Sequence, residues 1–145
     1  MKNLYLVRHG ETELNKTKVY YGSTDCPLTE KGRSQSQGLS EVFSQIDIDV
    51  IYTSPLRRAV DTASIIFGDR EFVREPRLEE MDFGQWEGKH YTELQGDPLF
   101  EKWQREWKTT RPPEGESFND LNQRVESFWS DLRGAGADNV AIVGH

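Results

Sequence analysis

A single cysteine, Cys26, among 145 residues excludes an internal disulfide. It lies between Asp25 and Pro27 in a turn-like stretch with nothing local to activate it, and it reads as an incidental thiol. No apolar run is long enough to span a bilayer. The chain passes from Met1-Lys2-Asn3 straight into a strand-like segment, without the apolar region and cleavage site of a signal peptide, so the expected location is the cytoplasm. Positive charge is in deficit: 18 Lys and Arg stand against 25 Asp and Glu, a net charge of -7. That balance argues against broad binding to nucleic acid or to anionic membranes. Internal repeats, low-complexity tracts and Pro/Ser-rich linkers are missing as well, and the length suits one domain over residues 1–145.

What is present is a repeated pattern. Leu4-Tyr5-Leu6-Val7 leads into Arg8-His9-Gly10, and Val140-Ala141-Ile142-Val143 leads into Gly144-His145. Each short apolar run bounded by glycine reads as a buried strand. Ligands of open parallel α/β sheets bind outside the carboxyl ends of the strands, so the pattern delivers two imidazoles and Arg8 to that edge.

Between these ends strands alternate with helices. A polar loop over 10–25 carries Glu11, Thr12 and Asn15, and Thr29 is a plausible N-cap for a helix with Leu39, Val42 and Phe43 on its apolar face. Asp49 to Thr53 reads as a second strand. Ser54-Pro55 then reads as a helix start, running through Ala59, Ala63 and Ile66 to Gly68. Arg57 and Arg58 in its first turn oppose the macrodipole, which is expected if the helix end and an arginine jointly hold an anion. Residues 72–74 suggest a third strand, 77–84 an extended segment, and 91–107 one amphipathic helix. Ser117 caps a helix with Phe118, Leu121, Val125, Phe128 and Leu132 along one face. The expected fold is α/β: a three-layer α/β/α sandwich around a mostly parallel sheet.

His9, Arg8, Arg58, His145 and Asn15 would converge in this layout. They form a cationic, hydrogen-bond-donating set in an acidic protein, suited to a small dianion such as phosphate. A central histidine can attack phosphorus and split the displacement into two steps. A carboxylic acid would protonate the leaving alkoxide and then activate water, with Glu79, Glu80 and Asp82 as candidates. Each element also has a plain structural reading: a turn, a solvated acidic pair, a helix start. His90 reads as a surface residue, and Trp103 and Trp107 as packing.

Together the motifs resemble the histidine phosphatase superfamily, the phosphoglycerate-mutase-like family. Leu6-Val7-Arg8-His9-Gly10-Glu11-Thr12 with Asn15 is similar to its signature, and Ser54-Pro55-Leu56-Arg57-Arg58-Ala59 with Thr62-Ala63 to its second motif. Leu78-Glu79-Glu80-Met81-Asp82-Phe83-Gly84 resembles the acid-bearing segment, and Val143-Gly144-His145 the second histidine motif. The resemblance implies His9 as the phosphorylated nucleophile and Glu80 as general acid, then base. It implies Arg8, Arg58 and His145 around the phosphoryl group, Asn15 as a supporting donor, and neither metal nor other cofactor. His9 would need a backbone carbonyl on its other nitrogen to fix the reactive tautomer, and burial would help Glu80 carry its proton. Family members continue past the second histidine with a helix and usually a strand. The resemblance therefore implies a parent protein extending beyond His145.

The short interval from Glu80 to His145 favours a phosphatase over a mutase. Met81 to Gly88 and Pro112 to Phe118, with Leu121, Arg124 and Val125, resemble the α-ribazole phosphatase branch. That branch implies α-ribazole 5′-phosphate, an intermediate of cobalamin nucleotide-loop assembly, as substrate. A lid over about 85–115 is expected; for each of Trp86, Trp103 and Trp107 lid or core packing is the leading reading, with receipt of the benzimidazole ring as the alternative that this branch implies. The alternatives are a broad-specificity or a sugar or glycerate phosphate phosphatase, and a catalytically silent module that binds a phosphorylated partner.

Overall fold

The computed structural model describes all 145 residues. Four strands, β1 (Asn3–Arg8), β2 (Val50–Thr53), β3 (Val73–Arg74) and β4 (Asn139–Gly144), form one parallel sheet in the order β1-β4-β2-β3. The last strand of the chain is thus interior, and its alternation builds both halves of the core. Ala141 and Val143 join Val7, Ile51, Ala59, Ala63 and Ile66 under α2 (Glu30–Phe43) and α3 (Arg57–Phe67). Val140 and Ile142 point the other way and pack with Phe128 and Leu132 of α6 (Phe118–Gly134). Period-two side-chain placement on a doubly covered parallel strand requires this continuous apolar run. The expected three-layer arrangement is observed, and no helix is long and apolar enough to cross a membrane.

Five local expectations are corrected. β1, expected to be buried, lies at the sheet edge, where only Val7 is buried and Leu6 is 72% exposed. The loop after β1 contains a short helix, α1 (Glu13–Thr17), started by a capping box in which Thr12 and Asn15 bond reciprocally. In α2 the buried positions are Gly32, Ser36 and Phe43, whereas Leu39 and Val42 are exposed. Small residues win that face because α2 lies close against the β1–α1 turn. The single helix expected over 91–107 is two, α4 (Tyr91–Leu94) and α5 (Pro98–Glu106). Gly96 takes a left-handed φ of 84° between them, and Asp97 caps the new start by accepting from Leu99 N and Phe100 N. Finally, α3 starts at Arg57, so Ser54 stands at the strand end and not at the N-cap.

Around α4 and α5 a separate apolar cluster forms from Trp86, Leu94 and Phe100, with Tyr20, Phe83, Leu99 and Trp103 packed against it. Phe100 and Trp103 stack at 5.9 Å, and Trp86 meets both rings edge-on. The packing that is the leading reading of the tryptophans is observed, and the ring-receiving alternative is not: Trp86 and Trp103 pack within this cluster, and Trp107 packs edge-on against Phe118.

The approach of α2 gives opposite expectations for two helical glycines. A Cβ at Gly32 would collide with the backbone of Glu11, whereas one at Gly38 meets nothing within 4 Å. Gly32→Ala should cost about 1–3 kcal/mol by overpacking. Gly38→Ala should stabilise by about 0.5–1 kcal/mol through backbone entropy. Urea unfolding measures both; equal shifts in the same direction would refute the close contact.

Candidate active site

The sheet register assembles the site. Arg8 pairs with Gly144 and Thr53 with Val143, so β1, β4 and β2 end side by side. The next residues are His9, His145 and Ser54. His9 N donates to Gly144 O at 2.9 Å and Ser54 N to Val143 O at 3.0 Å, which extends the ladder by one residue on each side. The two imidazoles meet edge to face with centroids 5.1 Å apart.

His9 is buried, and its Nδ1 lies 2.7 Å from Gly10 O. A carbonyl only accepts, so the proton sits on Nδ1 and Nε2 keeps its lone pair. The carbonyl is itself held in place. Gly10 N donates to Thr62 Oγ1 at 3.1 Å, and Thr62 Oγ1 donates to Arg58 O, one turn earlier on α3, at 2.8 Å. The carbonyl that the nucleophile reading called for is present.

Arg58 is fully buried. Its Nη2 donates to Gly22 O at 2.6 Å, its Nη1 to Thr24 O at 2.9 Å and its Nε to His145 Nδ1 at 3.3 Å. The guanidinium also lies over the Tyr21 ring at 4.9 Å. Because His145 accepts at Nδ1, its proton is on Nε2, which donates to Ser54 Oγ at 2.9 Å. The expected anion cradle at the start of α3 is replaced: Asp25 Oδ1 accepts Arg57 N–H at 2.8 Å, and the Arg57 side chain turns to Asp61.

A cavity of about 210 Å³ is lined by Arg8, His9, Asn15, Arg58 and Glu80, and closed by Val19, Tyr20, Tyr21 and Phe83. Five of the six residues singled out from sequence thus share one space. His145 stands against His9 and Arg58 and lines an adjoining cavity that shares Arg8 and Glu80 with the first and is otherwise walled largely by apolar residues such as Leu78, Phe118 and Leu121. Asn15 Oδ1 accepts from Thr12, which leaves its amide hydrogens for the cavity. Glu80 is half-buried and not enclosed, and its Oε1 accepts from Met81 N. Of the other acid candidates, Asp82 is occupied by Ser23 Oγ and Gly84 N, and Glu79 does not line this cavity.

Sequence reasoning assigned no role to three supports. Thr62, which the motif resemblance includes without a role, carries the hydrogen-bond chain to His9. Arg124 donates to the carbonyls of Arg77, Glu79 and Glu80 and to Glu116, so it holds the acid-bearing segment from behind. Tyr21 underlies Arg58, and nothing in its local sequence marked it.

The electrostatics agree with the geometry. Burial, with Arg58 and Arg8 adding repulsion, pushes His9 down to about 4. Burial, then Arg58 and His9, push His145 down to about 3. Both rings are neutral near pH 7 beside permanent cations, which leaves His9 Nε2 nucleophilic.

Comparison with known proteins gives the same family that the motifs suggested. The family model described as "Histidine phosphatase superfamily (branch 1)" matches residues 4–145. The chain is 35% identical to the adenosylcobalamin/alpha-ribazole phosphatase of Escherichia coli (strain K12), covering 98% of this chain and 72% of that protein. The crystal structure of the alpha-ribazole phosphatase from Shigella flexneri superposes with a TM-score of 0.92 at 35% identity, over 98% of this chain and 73% of that one. Phosphoserine phosphatase from Entamoeba histolytica, in complex with 3-phosphoglyceric acid, gives 0.85 at 32% identity, over 100% and 74%.

The depressed histidines set the acid side of stability. Unfolded, each takes up a proton near 6.5; folded, each refuses it until far lower. Stability therefore falls as pH drops below about 6.5. Carboxylates held below their ordinary values, such as Glu11, Glu75 and Asp138, act only below about 4.5. Thermal unfolding should lose Tm between pH 6.5 and 5, and the double variant His9→Asn/His145→Asn should flatten that slope. An unchanged slope would contradict the neutral-histidine assignment.

Proposed function

This chain belongs to the histidine phosphatase superfamily, branch 1, and from that premise we propose that it hydrolyses α-ribazole 5′-phosphate through a phosphohistidine on His9. The observation that carries the reading is the convergence of His9, Arg8, Arg58, Asn15 and Glu80 on one small cavity, with His9 in the neutral Nδ1–H tautomer. His9 Nε2 attacks phosphorus, the bond to the leaving oxygen breaks, and the Glu80 proton passes to that oxygen. Water then attacks the phosphohistidine, giving its proton back to Glu80 and releasing phosphate and neutral His9. Arg8 and Arg58 balance the charge of the transferring group, and Asn15 donates to it. His145 serves chiefly by fixing Arg58 and shielding His9.

The substrate assignment draws on the relatives named α-ribazole phosphatase and on the cavity wall. Tyr20, Tyr21 and Phe83 suit a leaving alcohol that carries an aromatic base. The cavity has no cation beyond Arg8 and Arg58 to meet a carboxylate. A generalist or small-acid phosphatase is the second reading, and the structural likeness to phosphoserine phosphatase favours it. The segment over about 85–115 is assigned as the lid, and the location as the cytoplasm.

The deciding assay is kcat/KM in EDTA for α-ribazole 5′-phosphate, phosphoserine, 3-phosphoglycerate and p-nitrophenyl phosphate. A preference of about 100-fold for the first, roughly 3 kcal/mol of differential transition-state binding, is expected. A flat profile supports the generalist. His9→Ala should abolish turnover and the acid-labile phosphoenzyme. Glu80→Gln should slow the ribazole ester far more than the nitrophenyl ester, whose leaving group departs without a proton; equal losses remove Glu80 from the acid role.

A further inference from the structure

Arg58 forms no ion pair, although it is a fully buried cation. Such a charge is costly unless something opposite in sign faces it. The carbonyls of Gly22 and Thr24 take two of its nitrogens. On the other side of the same peptide segment lies Glu87, a half-buried carboxylate that also lacks an ion-pair partner. Glu87 accepts from the backbone N–H groups of Gly22, Ser23, Thr24 and Phe83, and from the hydroxyls of Ser23 and Thr24. The segment 22–24 is therefore bracketed, with an anion on its N–H side and a cation on its carbonyl side.

We propose that Glu87 is the positioning residue for Arg58: its carboxylate orients the 22–24 peptide groups, whose carbonyls aim the guanidinium at the phosphoryl site. The inference rests on the reading above that Arg58 binds that group, and assigns a residue outside the cavity to its control. The chemistry explains why the counter-charge stands one peptide layer away. A carboxylate in direct contact would satisfy the guanidinium fork and compete with an incoming phosphate. Oriented peptide dipoles hold the cation without neutralising it. The arrangement also couples the start of the 85–115 segment to the phosphate site, because the residue that follows Trp86 in that apolar cluster holds the loop that holds Arg58.

Glu87→Gln tests this, because it keeps the shape but turns an amide N–H₂ against backbone donors. The readout is Ki for inorganic phosphate as a competitive inhibitor of p-nitrophenyl phosphate hydrolysis, measured in a double-mutant cycle with Arg58→Ala. Glu87→Gln should raise Ki about tenfold with a smaller change in kcat, a coupling in the range for residues of one network. The rise should vanish in the Arg58→Ala background. If Glu87→Gln does not give a cooperative thermal transition, Thr24→Val replaces it. That change removes one exposed hydroxyl donor to Glu87 and should raise Ki about two- to threefold, again only with Arg58 present. Losses that persist undiminished in the Arg58→Ala background overturn the proposal and leave Glu87 a structural residue. An Arg58→Ala variant with unchanged Ki instead removes Arg58 from the phosphate site, the reading on which this rests.

Discussion

Both core and site depend on the register of one interior strand. β4 slots between β1 and β2, sending Val140 and Ile142 to one face and Ala141 and Val143 to the other. A slip by one residue would reverse every one of those side chains. It would also separate the strand ends that bring His9, His145 and Ser54 together. Hydrophobic burial along β4 thus enforces the alignment on which the chemistry depends, a coupling that no hydrogen bond in the site could secure alone.

Charge organisation follows from that placement. Two imidazoles enter a buried region that contains permanent guanidinium charge, and both respond by staying neutral. For His9 the outcome is an Nε2 lone pair that is free without prior loss of a proton, because Gly10 O has already selected the tautomer. Arg58 cannot respond in that way and stays charged. The protein surrounds it with carbonyls, the Tyr21 face and an imidazole nitrogen, and pairs it with no carboxylate.

The sequence and the tertiary structure diverge where contacts come from distant segments. Ser54-Pro55 carries the local signs of a helix start, yet Asp25, some thirty residues earlier, satisfies the first turn of α3 and leaves Ser54 to His145. The face of α2 reads as Leu39, Val42 and Phe43, but the close passage of the β1–α1 turn demands Gly32 and Ser36 instead. In each case local propensity was outweighed by packing or by a partner remote in the chain.

By itself the sequence determined that β1 and β4 are strands, and the residues placed just past their ends, but the continuous burial that both apolar runs suggest is realised only in β4. It also determined the family, since the histidine, arginine and acid motifs occur in order at matching intervals. Only the tertiary structure decided how those groups work. It gave His9 its tautomer, set His145 against Arg58, and put Glu87 opposite Arg58 across a peptide layer. The reason is physical: strand periodicity is a local property, whereas tautomer, ion environment and cavity lining depend on which backbone groups from elsewhere arrive within hydrogen-bonding distance.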